Sequence, residues 1–319
     1  VPLALSLGYD SIVGVSIPFL GAASGFAAAF FNPFTVGVAQ GLVGLPLYSG
    51  LGYRVLTWFI GTAVIIAWVM VYAARVKRRP EASPVYEIDR ARNLSALVPH
   101  QTVEPWTGRR VVVIAIFLAS RAALVWGILD QHWFIEEIAA LFLAMGLIMG
   151  AVAGLKPSAI ATSFVSGAKD MVTVCLIIAC GRALLIIARE GMVLDTVLYA
   201  SSQAIGGLPG IMAAQVMFVV QSVINFFIHS GTAQAALTMP IMAPLSDLVG
   251  ITRQTAVYAF TLCEFINPIL PTSAVTMGVL GAGKIPWERW ARWFLPLCLI
   301  LVVLSFLLLV PPVLMFRWE

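Results

Sequence analysis

The sequence predicts an all-α polytopic membrane protein with inverted-topology repeats, a re-entrant helical hairpin and broken transmembrane helices. Three observations carry this. Of the 319 residues, 61% are hydrophobic and only 11% charged. The apolar residues fall in runs long enough to cross a bilayer, and the basic residues cluster between particular runs. An Asn-Pro break occurs twice in related sequence.

Soluble domains carry roughly 45–50% apolar and about 25% charged residues. This composition therefore argues against a water-soluble enzyme, as does a mean hydropathy of +0.97. The net charge of +4 follows a topology pattern rather than forming a patch, so no nucleic-acid partner is expected. Cys175, Cys180, Cys263 and Cys298 lie in apolar segments without a CxxC or a nearby His. They read as small core hydrophobes, with no certain metal site. No charged segment precedes the first apolar run, so that run is not a signal peptide.

Stretches able to span about 30 Å of hydrocarbon occur at 11–31, 54–74, 111–129, 133–153, 171–188, 253–283 and 290–316. The hydrophilic stretch 75–110 divides the chain into 1–74, the end of a first repeat, and 111–319, a second repeat. It holds Arg75, Lys77, Arg78, Arg79, Arg90, Arg92, Arg109 and Arg110. The positive-inside rule makes it cytoplasmic. Helix 111–129 then runs outward, 133–153 returns and 171–188 runs outward again. Lys284, Arg289 and Arg292 require 253–283 to run inward, and 290–316 leaves the C-terminus outside. The parity closes if 209–249 is a re-entrant hairpin with Ser230-Gly231-Thr232 at its tip. Two ordinary spans there would put the Lys284 cluster outside.

Phe30-Phe31-Asn32-Pro33 resembles Phe265-Ile266-Asn267-Pro268, 235 residues on. At the same offset Arg54 meets Arg289, and Trp58-Phe59 meets Trp293-Phe294. By the charge pattern the copies have opposite orientation, a hallmark of secondary transporters. The second copy has a hairpin before Pro244, whereas Pro2 stands almost at the start of the chain. The repeat therefore predicts that the N-terminal part of the first copy is missing.

Three places break the helical pattern: Asn32-Pro33-Phe34-Thr35, Ser230-Gly231-Thr232 and Asn267 through Ser273. Proline removes a backbone donor, and non-helical backbone at membrane depth needs protein or a water-filled cavity around it. Half-helix N-termini suit anions, while freed carbonyls and Asn, Ser or Thr oxygens suit a cation. The candidate solute-binding residues are Asn32, Pro33, Thr35, Ser230, Gly231, Thr232, Asn267, Pro271, Thr272 and Ser273. A sodium ion is weighed near Asn32, Ser230 and Asn267. Glu264 and His229 are the coupling candidates, because an intramembrane carboxylate is costly and an imidazole titrates near neutral pH. Either has a structural alternative: an ion pair for Glu264, a hydrogen bond to the turn for His229. Arg121 and Arg182 lie mid-helix and read as structural. Trp133, Trp287 and Trp318 read as interfacial belts.

No nucleophile–base spacing, P-loop or HExxH is present. Ala22-Ala23-Ser24-Gly25 departs at its first position from the Gly-x-Ser-Gly of an intramembrane protease. An enzyme is not expected.

At these residues the sequence resembles the YfcC-like branch of the C4-dicarboxylate anaerobic carrier (DcuC-type) family, within the ion-transporter superfamily. The resemblance lies in Gly8-Tyr9-Asp10-Ser11, the run from Asn32 to Gly41, and Asp195-Thr196. Stronger still are Asn225-Phe226-Phe227, Ser230-Gly231 and the run from Gln234 to Leu245; the run from Ile251 to Val257 and Pro271-Thr272-Ser273 also match. The tip reads His229-Ser230-Gly231-Thr232 where that group has Pro-Ser-Gly-Ser. The resemblance implies a scaffold-plus-transport-domain architecture, a homodimer, and hairpin tips meeting broken helices at the midplane. It implies a secondary active transporter of the cytoplasmic membrane for an amino acid or C4-dicarboxylate, driven by Na⁺ or H⁺ coupling or by exchange. An intramembrane hydrolase and a non-transporting membrane subunit or sensor are the alternatives.

Overall fold

The computed structural model describes residues 1–27, 29–92, 107–131, 133, 135–193, 196, 199–200, 203, 205 and 207–315. The described residues are helical throughout their regular structure. Two compact units are formed, one by residues 1–97 with 173–319 and the other by residues 98–172.

In the first unit, α1 (Pro2–Ser6) leads into α2 (Ser11–Ala27), capped by Asp10, whose Oδ1 accepts from Val13 N at 2.8 Å. After the first break come α3 (Val38–Leu42), α4 (Leu51–Arg78) and α5 (Tyr86–Ala91). The segment 75–110 therefore starts as helix: α4 continues past residue 74 to Arg78, because Val76 still buries its side chain on the core. The second unit holds α6 (Gly108–Asp130) and α7 (Ile135–Val152). Between them Arg121 lies over the rings of Phe117 and Phe142, at 5.1 and 4.6 Å. It packs between these helices without a carboxylate partner among the described residues, a cation–π arrangement. The helix α8 (Pro157–Glu190) begins well before residue 171, with Pro157 at its first position, where proline's missing N–H costs nothing. The side chains of Cys175, Cys180 and Arg182, and all of Asp195 and Trp318, lie outside the described residues.

The first unit, which resumes at residue 173 within α8, continues with α9 (Gly210–Phe227) and α10 (Gly231–Leu248), then α11 (Arg253–Cys263), the second break, α12 (Ala274–Gly283), α13 (Trp287–Leu308) and α14 (Val310–Leu314). The expected last helix is interrupted at Leu309 before Pro311-Pro312. By length and composition Leu51–Arg78, Gly210–Phe227, Arg253–Gly283 and Trp287–Leu314 can each cross a membrane. The chain is a multi-pass membrane protein.

The two broken helices lie antiparallel. At one end Gln40 on α3 donates to Gln254 on α11 at 3.0 Å. At the other, α12 ends against the start of α2, where a Cβ placed on Gly283 would fall 2.7 Å from Val15 Cγ2. The long helices α4 and α13 also oppose one another: Tyr53, early in α4, donates to the carbonyl of Leu308, late in α13, at 2.7 Å. Both outer ends of the α9–α10 pair lie by the start of α11, at the Gly210–Ile251 approach and the Asp247–Arg253 ion pair of 2.7 Å.

Candidate functional site

Each break is built by local chemistry. At the first, Asn32 Oδ1 accepts from Phe34 N at 2.9 Å, and Pro33 opens a widened π-helical turn that ends at Gly37. Asn32 thus spends its side chain on capping the turn. At the second, Glu264–Ile269 winds into a tight 3₁₀ turn around Pro268, and Ser273 caps α12 by accepting from Thr276 N at 3.3 Å.

The carbonyls freed there are already taken. Thr276 donates to Asn267 O at 3.0 Å, Trp290 to Pro268 O at 2.7 Å and Trp287 to Ile269 O at 2.9 Å. Trp287, read from the sequence as an interfacial residue, also holds the unwound backbone, whose peptide groups need partners at membrane depth.

The hairpin tip sits against both breaks. Thr232 donates to Phe34 O at 2.7 Å. A Cβ on Gly231 would fall 2.5 Å from Thr35 Cγ2 and 3.5 Å from Glu264 Oε1, so only glycine fits this close approach. Thr272 donates to Phe226 O at 2.7 Å and bonds His229 Nε2 at 2.8 Å. Because the Thr272 proton goes to a carbonyl, His229 donates to Thr272. The pair is a tether between tip and break, not a nucleophile with its base. Ser230 accepts from Ala233 N at 3.4 Å.

These elements enclose a cavity of about 340 Å³ between α2 and α12, within the range of small-molecule sites. Of the predicted residues His229, Ser230, Glu264, Asn267 and Ser273 line it. Gly231 and Thr232, in the first turn of α10, face Thr35 and Phe34 of the first break instead, Thr272 holds the tip in place, and Pro271 forms the turn before α12. Glu264 is 4% exposed. Its Oε2 accepts from the Asn267 side-chain amide, and no basic side chain bonds it among the described residues. The expected ion-pair alternative for Glu264 therefore has no partner there. Glu264 Oε1, Asn267 Oδ1 and Thr35 Oγ1 are buried without a hydrogen-bond partner. No cluster of three His, Cys, Asp or Glu is present among the described residues.

Two buried polar networks behind the site escaped the sequence reading. In one, Gln234 donates to Gln221 Oε1 at 2.8 Å and Gln221 donates to Thr238 Oγ1 at 2.9 Å, zipping α9 to α10. Asn225 also donates to Cys263 Sγ at 3.3 Å. In the other, Arg54, 1% exposed, reaches Thr261 and Gln254 at 3.3 Å each and lies 5.6 Å from the Tyr258 ring. Its repeat counterpart Arg289 is exposed. The only available signal was polar residues recurring at helical spacing on apolar helices.

A multi-pass helical membrane protein whose hairpin tip meets two antiparallel broken helices is the class that fold and site define. The model of the C4-dicarboxylate anaerobic carrier family matches residues 1–313, and the chain belongs to that family. It is 39% identical over 304 residues to the "Putative basic amino acid antiporter YfcC" of Escherichia coli (strain K12), covering 91% of this chain and 60% of that one. It is 34% identical over 307 residues to an uncharacterized protein of Haemophilus influenzae (strain ATCC 51907 / DSM 11121 / KW20 / Rd), covering 95% and 60%. The chain thus spans 60% of the length of these relatives. No solved structure matches it.

Proposed function

We propose that the protein is a secondary active transporter of the cytoplasmic membrane, moving a small carboxylate-bearing solute, a basic amino acid, through the cavity at the two breaks. The observation that carries this is the charge of the cavity. One buried carboxylate, Glu264, faces it, and no Lys or Arg is among the described lining residues. A dicarboxylate would meet a like charge there, whereas an amino or guanidinium group would pair with it. The solute's own carboxylate has a place at the N-termini of α10 and α12, whose caps Ser230 and Ser273 line the same cavity. Helix N-termini favour anions through free N–H groups and the macrodipole. The name of the Escherichia coli relative points to a basic amino acid, the description of the family to C4-dicarboxylates; the lone carboxylate favours the first.

The hairpin is re-entrant in this reading, and the broken helices are halves of inverted repeats. The unpartnered oxygens of Thr35, Glu264 and Asn267 provide for a proton on Glu264 or a sodium ion against it, with exchange as the remaining mode. A homodimer, as the resemblance implies, completes the reading. The test is counterflow in proteoliposomes of the full-length protein with radiolabelled arginine, ornithine and a four-carbon dicarboxylate. Uptake of the amino acids is expected. Uptake of the dicarboxylate alone would overturn the choice of solute, and uptake of none would overturn the transport reading.

A further inference from the structure

The segment that follows α4 folds back over the ends of two half-helices. Tyr72 and Ser83 both donate to Asp10 Oδ2, Ser83 at 2.6 Å. Asp89 Oδ2 accepts from Ser11 N, at the start of α2, at 2.7 Å. Arg92 donates to the last carbonyls of α12, Gly283 at 2.8 Å and Lys284 at 2.9 Å. Arg92 Nε and Asp89 Oδ1 are 3.1 Å apart, with both side chains largely buried.

These contacts sit where helices have most need of partners. The first N–H groups and last carbonyls of a helix have no intrahelical partner, and a cation at a C-terminus also complements the macrodipole. Asp89 serves the first end of α2 and Arg92 the last end of α12. The two residues are three apart on one short helical turn, so a single movement of that turn frees both ends.

The cavity lies further along the same pair of helices. Its walls include Phe19 and Ala23 of α2 and Ala274 and Val275 of α12. Between cavity and strap the seam is shut by Val15 against Gly283, too close for a Cβ on the glycine. We infer that the strap 80–92 is a gate lock: Asp89 and Arg92 hold the ends of α2 and α12 together, and they must let go before the cavity opens toward the strap's side of the membrane. The purpose of the lock rests on the transport reading; its geometry does not.

Hydrogen–deuterium exchange of the full-length protein in nanodiscs tests it. Arg92→Gln should speed exchange in residues 11–16 and 279–284 by about fivefold to tenfold, the scale of a partly buried charge at a helix end, while α10 stays unchanged. Arg92→Lys keeps the charge and one donor. It should show the same pattern at smaller amplitude, and it carries the test if the glutamine variant does not assemble. The exchanged pair, Asp89→Arg with Arg92→Asp, should stay open, because it sets a cation at Ser11 N–H and a carboxylate at the α12 carbonyls. Faster exchange confined to 80–92, or protection restored by the exchanged pair, would overturn the lock. Absent solute uptake with these exchange changes intact would count against the transport reading and leave the lock standing.

Discussion

The hydroxyl of Thr232, at the start of α10, donates to the carbonyl of Phe34 at 2.7 Å across 198 residues of chain. This bond, with Gly231 against Thr35 and Glu264, makes the hairpin tip a wall shared by both helix breaks. Predictions about the site follow from how little room that wall has.

Gly231→Ala places a methyl group within 2.5 Å of Thr35 Cγ2. Overpacking of this kind costs about 1–3 kcal/mol, read as a lowered melting temperature in detergent. Thr35→Ser removes Cγ2 and keeps the hydroxyl, so the double variant should regain most of the loss. A wild-type melting temperature for Gly231→Ala would show that the tip does not pack as described.

Thr272→Val removes the donor to Phe226 O and the acceptor for His229. A loss of about 1 kcal/mol is expected, with faster amide exchange at the hairpin tip. Thr272→Ser should behave like the parent. If valine and serine prove equivalent, the tether contributes nothing.

Burial raises the Asp89 carboxyl above the usual carboxylate range, outweighing the Ser11 N–H bond and the nearby Arg92. The folded protein therefore holds this proton more tightly than the unfolded chain. The stabilisation is full below the unfolded carboxylate pKa, about 3.9, and is lost as pH rises through the higher folded value. Asp89→Asn cannot titrate, so the stability difference between parent and variant should move against the parent with rising pH over the weakly acidic range. A difference that does not change with pH would contradict this.

Arg90 is exposed on the strap. With native thiols removed, Arg90→Cys should resist an impermeant thiol reagent in intact cells and react once the membrane is permeabilised. Ready labelling in intact cells would reverse the orientation assigned by the positive-inside rule.

The helices were legible because apolar runs and prolines act locally. Both Asn-Pro breaks lie where the sequence puts them; the turn expected at Ser230-Gly231-Thr232 falls slightly earlier, at 228–230, with Gly231 and Thr232 already in α10. The occupants of the cavity wall were only half legible. Glu264 and His229 stand out as rare polar residues in apolar sequence. What they bond depends on contacts dozens of residues away, Thr272 with His229 being 43 apart. That the Asn32 side-chain oxygen caps the first break, accepting from Phe34 N, was not legible, because a cap and a ligand use the same amide. Arg54 and Arg289 match by repeat, yet one is buried and the other exposed; burial is set by packing partners the alignment does not show. Nor did the linker's charge reveal that Asp89 and Arg92 each cap a distant half-helix.

Glu264 carries the central claim: its carboxylate takes the cationic end of the solute. The direct measurement is counterflow of arginine and of a four-carbon dicarboxylate into proteoliposomes holding the parent or Glu264→Gln, each folded by size-exclusion profile. Losing a charged hydrogen bond worth about 1.5–3 kcal/mol should weaken arginine's apparent affinity by about tenfold to a hundredfold, with dicarboxylate uptake unchanged or improved. Equal arginine affinity in parent and variant would contradict the account.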